Sequence, residues 1–253
     1  MDSIIHLKSV ESTNDYLTRL IATEEVAEGT VVMADFQTAG RGQTGNTWES
    51  AKGENLLFSM ALFPDIPASS SFLLSQVVSL ALIDTLDSFS IPDSHIKWPN
   101  DIYVGDNKMA GFIIDQTVLG DKVSSAVAGI GLNVNQKDFP SELPNATSMA
   151  LISGETFRLK DVLKVFRTKF VVRYNQLLSG EDDKIREDYM ARLFRYGSMY
   201  PYMAVTDGAI FNAIITGVTP KGCLQLRLTD GTERTFAFKE LRFVYYSTGL
   251  SLE

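Results

Sequence analysis

The chain has 253 residues, of which 45% are hydrophobic and 21% charged, ordinary values for a globular protein that buries a full core. Its formal net charge of −8 argues against general affinity for nucleic acid or anionic membranes, since both require a basic face. The single cysteine, Cys223, excludes an internal disulfide, and two histidines argue against a histidine-based metal site. No apolar run approaches about 18 residues and the N-terminus lacks signal-peptide features, so we expect a cytoplasmic protein without a membrane span.

The first predicted elements are a helix and two strands. Ser12 or Thr13 can cap a helix over residues 14–21, whose apolar side chains lie on one face. Two β-branched, apolar runs predict strands at 30–36 and 55–63, with a glycine-rich loop between them.

The middle of the chain predicts a buried helix, a hairpin and a further strand. Residues 69–89 are apolar or small on nearly all sides, which indicates a helix buried on most of its surface. The turn sequence GDN at 105–107 separates apolar runs at 102–104 and 109–118, a pattern typical of a β-hairpin. Residues 123–134 predict another strand, which contains the segment GIGLNVN.

The last part of the chain changes from helices to short strands. Helical spacing at 160–178 is followed by a polar helix predicted at 182–195. From Gly197 onward, β-type runs alternate with TDG and TPKG turns over about 55 residues, which indicates a small antiparallel barrel. We therefore predict an α+β fold with a mixed or antiparallel sheet and packed helices at 1–195, and the small barrel as a second domain at 196–253.

The loop QTAGRGQTGNTWES at 37–50 contains three glycines in the spacing of a dinucleotide-binding fingerprint. That fingerprint must open a helix, whereas a polar loop and then a predicted strand follow Gly45, so the dinucleotide interpretation fails. A P-loop fails too, because no Gly-Lys-Ser/Thr closes the loop. Arg41 can instead present its guanidinium beside backbone N–H groups to an anion, and Trp48 offers a flat face for a ring. A plain surface turn with a solvated Arg41 remains the alternative.

The segment KWPNDIYVGDNKMAG at 97–111 combines a proline-fixed turn with a lysine. Pro99 restricts the backbone, so that Asn100 and Asp101 point in defined directions. Asp101 either helps to place Mg²⁺ or caps the turn. Lys108 precedes small and apolar residues, and its ammonium can therefore point into a cleft or into solvent.

Two shorter stretches carry further polar candidates. In AGIGLNVN at 128–135, Gly129 and Gly131 either leave room for a close approach to the backbone or mark a packing bulge. Asn133 lies on the same face as both glycines by the two-residue period of a strand. In ESTN at 11–14, the hydroxyls cap the first helix and can also meet a polar ligand.

Together and in this order, these stretches resemble biotin protein ligase, also called biotin–[acetyl-CoA carboxylase] ligase. The segments ESTNDYL, FQTAGRGQTGNTWES, KWPNDIYVGDNKMAGFIID and AGIGLNVN that carry the resemblance span residues 11–135. The resemblance implies a class II synthetase-like catalytic core with a C-terminal SH3-like barrel. It also implies that biotin and Mg·ATP form biotinyl-5′-AMP, and that the biotinyl group passes to a lysine of a carboxylase's biotin carboxyl carrier domain.

The resemblance further implies roles for individual residues. The catalytic residues are Lys108, Arg41 and Asp101, with Asp101 as the Mg²⁺ ligand. The biotin-binding residues are Ser12, Thr13, Asn14, Gln37, Gly40, Arg41, Lys108, Gly111, Gly129 and Gly131. The residues that bind ATP or the adenylate are Arg41, Gly42, Gln43, Trp48, Asn100, Lys108 and Asn133, with Trp48 covering the adenine.

The chain departs from the family pattern in two places. Many members carry GRGRRGR in the loop, whereas this chain has GRGQTGN, so Gln43 removes one cation. We hypothesise that the loop holds the adenylate through backbone N–H groups and Arg41. Only residues 1–10 precede Glu11, so we expect no N-terminal DNA-binding module of the kind that bifunctional members carry.

Two other functions stay open. A lipoate or octanoyl ligase shares the catalytic fold, but its R-R-x-x-G-G-G and V-x-H-D segments are absent from the sequence. A non-catalytic biotin sensor needs no residues that bind the phosphates of ATP, so the presence of Lys108 and the KWPND turn argues against this function. A second copy of this chain is a further candidate partner, as a homodimer.

Overall fold

The structure is a computed structural model, and it describes residues 3–43, 45–247 and 249–252. Its strands are β1 (Ile4–Leu7), β2 (Val31–Ala34), β3 (Leu56–Leu62), β4 (Ile66–Pro67), β5 (Ser94–Lys97), β6 (Asp101–Val104), β7 (Asn107–Leu119), β8 (Lys122–Leu132), β9 (Met199–Ala204), β10 (Ile210–Val218), β11 (Leu224–Leu228), β12 (Glu233–Phe236), β13 (Leu241–Ser247) and β14 (Gly249–Leu252). Its helices are α1 (Thr13–Thr23), α2 (Phe72–Ser88), α3 (Met149–Ser153), α4 (Leu159–Leu178) and α5 (Asp182–Ala191). The α+β fold class is confirmed.

The larger sheet has the strand order β1-β2-β3-β8-β7-β6-β5, and β4 pairs with β8 beside this path. Strands β1 and β2 are parallel, and the other neighbours are antiparallel, so the sheet is mixed as predicted. Sequence patterns did not predict β1 and β5, which are the edge strands, or the short helix α3. The polar helix α5 also ends earlier than predicted, at Ala191.

Different helices pack on the two faces of this sheet. Successive side chains of a strand point to opposite faces, so neighbouring residues pack against different helices. Along β3, Met60 and Leu62 join the larger core with residues of α2 and α4. Between them, Ala61 points to the other face and packs with Leu17 of α1. Ser12 caps α1 by accepting a hydrogen bond from the Asp15 N–H. Helix α1 thus lies over β3 and β8, and its N-terminus lies near the glycines of β8.

Helix α2 is apolar on almost all sides because it lies in the middle of the larger core. It packs against α4, α5 and the strands β5 and β6. The stretch Ala68–Ser88 is long and apolar enough to cross a membrane, contrary to the expectation from uninterrupted apolar runs, and 67% of its apolar window is buried inside the protein. Its hydrophobic surface is therefore used within the fold.

The hairpin of β6 and β7 brings separate parts of the KWPND segment together. Its turn requires a glycine, because Gly105 has a φ of +55°. The pairing places Asp101 opposite Gly111, and an irregularity after Ile102 shifts the register, so that Lys108 pairs with Tyr103. Strand position alone thus brings Asp101 and Lys108 to one end of the sheet.

The C-terminal part forms a six-stranded sheet in the order β12-β11-β10-β9-β13-β14. It packs against the larger part where Trp98 Nε1 donates to the Gly222 carbonyl over 2.8 Å. The buried Lys97 ammonium also lies over rings of this sheet, 5.4 Å from the centroid of Phe243. The SH3-like closure of this sheet and the domain boundary at 195 remain predictions.

Candidate active site

Two neighbouring cavities lie at the end of the larger sheet where α1, the glycine loop and the KWPND hairpin meet. The inner cavity is lined by the N-terminus of α1, the loop and strands β7 and β8. The outer cavity, of about 420 Å³, lies between the loop, the segment 139–146 and the C-terminal sheet. Among the described residues, six line both cavities: Gly42, Gln43, Trp48, Asn100, Asp101 and Lys108.

The inner cavity has a floor of polar side chains that already pair with one another. Gln37 Oε1 accepts hydrogen bonds from the Thr13 N–H at 2.8 Å and from the Thr13 hydroxyl at 3.0 Å. The Ser59 hydroxyl lies 2.8 Å from Thr13 Oγ1 and 2.6 Å from Asn14 Oδ1. Thr13, Asn14 and Ser59 are all buried, so these pairings hold their polar groups in fixed directions. Ser59 was not among the predicted site residues, although it is the only hydroxyl in the apolar run NLLFSMALF.

Gly129 has no side chain because Asn14 occupies the space. A Cβ at residue 129 would overlap the Asn14 amide. This close approach sets the position of Asn14 on the sheet, which a larger residue in β8 would prevent. Glycine at 129 therefore shapes the floor of the inner cavity.

Gly131 and Gly111 make room for Trp48. A Cβ at residue 131 would overlap the indole ring, and one at residue 111 would lie 3.2 Å from it. The resemblance implied that ligand and backbone meet at these two glycines; both line the inner cavity, and the tryptophan lies against them. Their contact with a ligand stays a prediction. Gly40 lines neither cavity; its carbonyl accepts a hydrogen bond of 2.9 Å from the Trp48 N–H, and it too has no room for a side chain.

Trp48 separates the two cavities, since its ring borders both. Its Nε1 is buried and makes no hydrogen bond within the described part of the chain. The same holds for Oε1 of Gln43, the residue that stands in place of a family arginine. Both residues border both cavities, so these two groups are candidates for hydrogen bonds to a ligand.

Lys108 and Asp101 mark the junction of the cavities. The Lys108 Nζ lies 2.8 Å from Asp101 Oδ1 and 5.7 Å from the Trp48 ring centroid. Because an ammonium has three donors, the pair with Asp101 leaves capacity for ligand oxygens. Asn100 Nδ2 donates to the Phe112 carbonyl over 2.5 Å, which ties the KWPND turn to β7. The Trp98–Pro99 bond in this turn is cis.

Asn133 presents an acceptor to the outer cavity. Its Nδ2 donates to the Thr147 carbonyl over 2.9 Å, which fixes the orientation of the amide. Its side chain is only 4% exposed, and its Oδ1 has no hydrogen-bond partner among the described residues. A ligand at this point must therefore donate a hydrogen bond. Asn135 differs: its amide makes two hydrogen bonds to the Phe157 backbone.

Arg41 lies at the rim of the inner cavity and is paired with two carboxylates. Its Nη1 lies 2.6 Å from Asp15 Oδ1 and 3.1 Å from Asp115 Oδ2. Partial burial acts to lower the pKa of Arg41, but the hydrogen bonds and charges of Asp15 and Asp115 outweigh it and raise that pKa above its ordinary value. Sequence reasoning proposed neither carboxylate.

The outer cavity has an apolar lining that sequence motifs did not identify. It comes from the segment 139–146 and from the C-terminal sheet, and consists of Phe139, Leu143, Pro144, Ala146, Phe238, Leu241 and Phe243. Lys108 holds the segment 139–146 in place, since its N–H donates to Asn145 and its carbonyl accepts from Thr147. The described residues contain no cluster of three or more metal-ligating side chains.

Two adjoining cavities on an α+β core share Lys108 and Asp101, and one has a polar floor. This arrangement can hold two ligands side by side with a cation between them, as a ligase requires. Residues 6–133 match the biotin/lipoate A/B protein ligase family, and the chain belongs to this family.

Relatives with known names agree with this assignment. The bifunctional ligase/repressor BirA of Bacillus spizizenii is 31% identical over 220 residues, which cover 86% of this chain and 67% of that protein. The biotin–[acetyl-CoA-carboxylase] ligase of Paracoccus denitrificans is 33% identical over 208 residues, covering 80% of this chain and 85% of that protein. The solved structure of biotin protein ligase from Aquifex aeolicus in complex with biotin and ATP matches with a TM-score of 0.77 and 25% identity over 100% of both chains.

Proposed function

We propose that the chain is an ATP-dependent, AMP-forming biotin–[biotin carboxyl-carrier protein] ligase of the cytoplasm. It activates biotin to biotinyl-5′-AMP and transfers the biotinyl group to a lysine of the carrier domain of a carboxylase. The observation that carries the proposal is the position of Lys108, whose ammonium lies where the inner and outer cavities meet. The named relatives and the solved complex with biotin and ATP support it.

The inner cavity suits biotin better than lipoate. The ureido head of biotin carries one hydrogen-bond acceptor and two donors, whereas the dithiolane head of lipoate carries neither N–H nor C=O groups. The polar groups of Thr13, Asn14 and Ser59 pair with one another and can also exchange hydrogen bonds with a ureido ring, whereas a dithiolane would use none of them. This chemistry favours biotin within a family that includes both kinds of ligase.

In the first step, the biotin carboxylate attacks the α-phosphorus of ATP at the junction of the cavities. The new O–P bond forms as the bond to pyrophosphate breaks, and pyrophosphate leaves with the electron pair. Lys108 stabilises the negative charge that collects on the α-phosphate oxygens and the incoming carboxylate. The closed loop with Trp48 keeps water from the mixed anhydride.

In the second step, the ε-amine of the carrier lysine attacks the acyl carbon of the adenylate. An amide bond forms, the amine gives its proton to water, and AMP leaves with the electrons of the broken C–O bond. The acceptor lysine reaches this carbon at the same junction, beside Lys108 and Asp101.

ATP enters as its magnesium complex, and Asp101 is the carboxylate that fits this ion. Mg²⁺ in nucleotide sites is commonly held by one or two carboxylates together with substrate phosphates. Asp101 borders both cavities, and its Oδ1 pairs with Lys108, so its second oxygen remains for the ion.

ATP–pyrophosphate exchange with biotin and lipoate offered separately and in competition tests the proposal. We expect exchange that depends on biotin and is not inhibited by lipoate. Exchange supported by lipoate would assign a lipoate ligase. Thermal stabilisation by biotin without any exchange would assign a biotin sensor.

A further inference from the structure

Two carboxylates outside the proposed catalytic set hold the cation of the glycine loop. Asp15 belongs to the first turn of α1 and Asp115 to β7, and Nη1 of Arg41 lies between them at 2.6 and 3.1 Å. We propose that Asp15 and Asp115 are positioning residues that fasten the loop over the inner cavity and thereby control how long the adenylate is retained. This inference rests on the proposed function.

The loop depends on this attachment because it has few others. Arg41 is the only cation in residues 37–50. Among the described residues of 38–47, its side chain is the only one that hydrogen-bonds to another part of the protein. The loop's backbone is tied to the preceding segment at its start, where the Thr38 and Ala39 N–H groups donate to the Val10 and Glu11 carbonyls. Beyond that point it closes on itself, since Gly42 N–H donates to the Asn46 carbonyl and Trp48 N–H to that of Gly40. Fixing Arg41 therefore fixes the loop and the tryptophan that divides the cavities.

The carboxylates orient the guanidinium without using all of its donors. Both bind Nη1, and within the described part of the chain Nε and Nη2 make no hydrogen bond. Arg41 also borders the inner cavity. The two ion pairs thus leave donors for an anionic ligand, which a guanidinium provides in a fixed planar geometry.

Asp115 also connects the rim of the cavity to its floor. Its Oδ2 accepts from Arg41 Nη1 and from Asn14 Nδ2, at 3.1 Å in each case. Asn14 Oδ1 in turn lies 2.6 Å from the Ser59 hydroxyl. Within the described part of the chain the Asp15 carboxylate has no such link to the floor, so its replacement tests the attachment of the loop while the side-chain hydrogen bonds of the floor stay intact.

Each carboxylate should have only a modest effect on adenylate release, because its ion pair with Arg41 is partly exposed to solvent. The side chains of Arg41, Asp15 and Asp115 are 43%, 42% and 42% exposed, so solvent and salt screen both pairs. We expect Asp15→Asn to speed adenylate release roughly threefold and Asp15→Asn/Asp115→Asn roughly tenfold. Asp15→Asn should change adenylate release more than it changes the maximal rate of adenylation, because the Asp15 carboxylate pairs with the loop and not with Lys108 at the junction of the cavities.

The experiment uses the full chain loaded with labelled biotin and Mg·ATP, freed of excess ligand, and followed for release of labelled biotinyl-AMP. The variants are Asp15→Asn, the double variant, and each of them combined with Arg41→Ala. The control is Asp65→Asn, which removes an exposed ion pair with Lys122 far from the cavities. Release is measured from low to high salt.

The proposal expects faster release in both carboxylate variants, a smaller salt dependence than in wild type, and no further effect of Asp15→Asn once Arg41 is alanine. Unchanged release, or equal effects with and without Arg41, would overturn it. Slower release would also overturn it, because the carboxylates would then compete with the ligand for Arg41. A wild type that forms no biotinyl-AMP contradicts the proposed function itself, and this inference with it.

Discussion

The inner and outer cavities share one wall and differ in how their polar groups are satisfied. In the inner cavity, Thr13, Asn14, Ser59 and Gln37 form a connected hydrogen-bond network without any ligand. In the outer cavity, Asn133 Oδ1 is buried without a partner among the described residues, and most of the lining is apolar. The floor of the inner cavity is ordered by its own residues, whereas the outer cavity contains a buried acceptor that a ligand can pair with.

This difference suggests a division of labour between the two sides. A prearranged network recognises a small polar head with little reorganisation, which favours specificity. An apolar slot with one fixed acceptor binds a flat base and selects it by a single hydrogen bond. In the proposed function, the reacting atoms of the two ligands meet between the cavities, beside Lys108 and Asp101. The following predictions separate the two cavities from each other and from the junction.

The largest effect is expected at the junction, from Lys108→Ala. Loss of the ammonium removes the charge that stabilises the transition state, and biotin-dependent ATP–pyrophosphate exchange should fall by about 10²–10³-fold. The matched control is Lys122→Ala, which removes a lysine paired with Asp65 at an exposed site. An exchange rate near that of wild type would remove Lys108 from the catalytic residues.

Gly129→Ala should damage the inner cavity alone. The added methyl group overlaps the Asn14 amide, and the displaced network should weaken biotin binding by roughly 10–100-fold. Calorimetry with ATP serves as the control, because the outer cavity does not include residue 129. Gly131→Ala should instead weaken both ligands, since it displaces Trp48, which borders both cavities. Equal effects of the two variants on ATP would contradict this separation.

The outer cavity should distinguish nucleotides by the group at purine C6. Adenine carries an amine that can donate to Asn133 Oδ1, whereas hypoxanthine carries an oxygen that cannot. We expect ITP to support exchange roughly 10–100-fold less efficiently than ATP, with purine riboside triphosphate in between. Biotin affinity measured without nucleotide provides the baseline. Equal efficiency of ATP and ITP would show that Asn133 does not contact the base.

The smallest effect is expected where the C-terminal sheet borders the outer cavity. The Phe238 ring lies 6.3 Å from that of Trp98, and Phe238→Ala shortens this wall. The KM for ATP should rise about threefold, with biotin binding unchanged. If biotin affinity fell by the same factor, Phe238→Ala would be disturbing the structure of both cavities and not the wall of the outer cavity alone.

Local signals predicted much of the inner cavity and the junction. The cap at Ser12 and the GDN turn depend on residues close in sequence, and patterns of this kind are visible in a chain. The β8 glycines are visible because glycine is unusual inside a strand, although the side chains that fill their space, Asn14 and Trp48, are distant in sequence. Ser59 and Asp115 were missed because their importance comes from contacts with Asn14, 45 and 101 residues away. The wall formed by Phe238 depends on how two sheets pack, which no local pattern indicates.

Intact-mass and peptide analysis of a carrier domain incubated with the chain, biotin and Mg·ATP tests the central claim most directly. We expect one biotinyl group on the acceptor lysine, dependent on ATP and lost with Lys108→Ala. A carrier that stays unmodified while the wild-type chain binds both ligands would contradict it, as would modification that Lys108→Ala leaves intact.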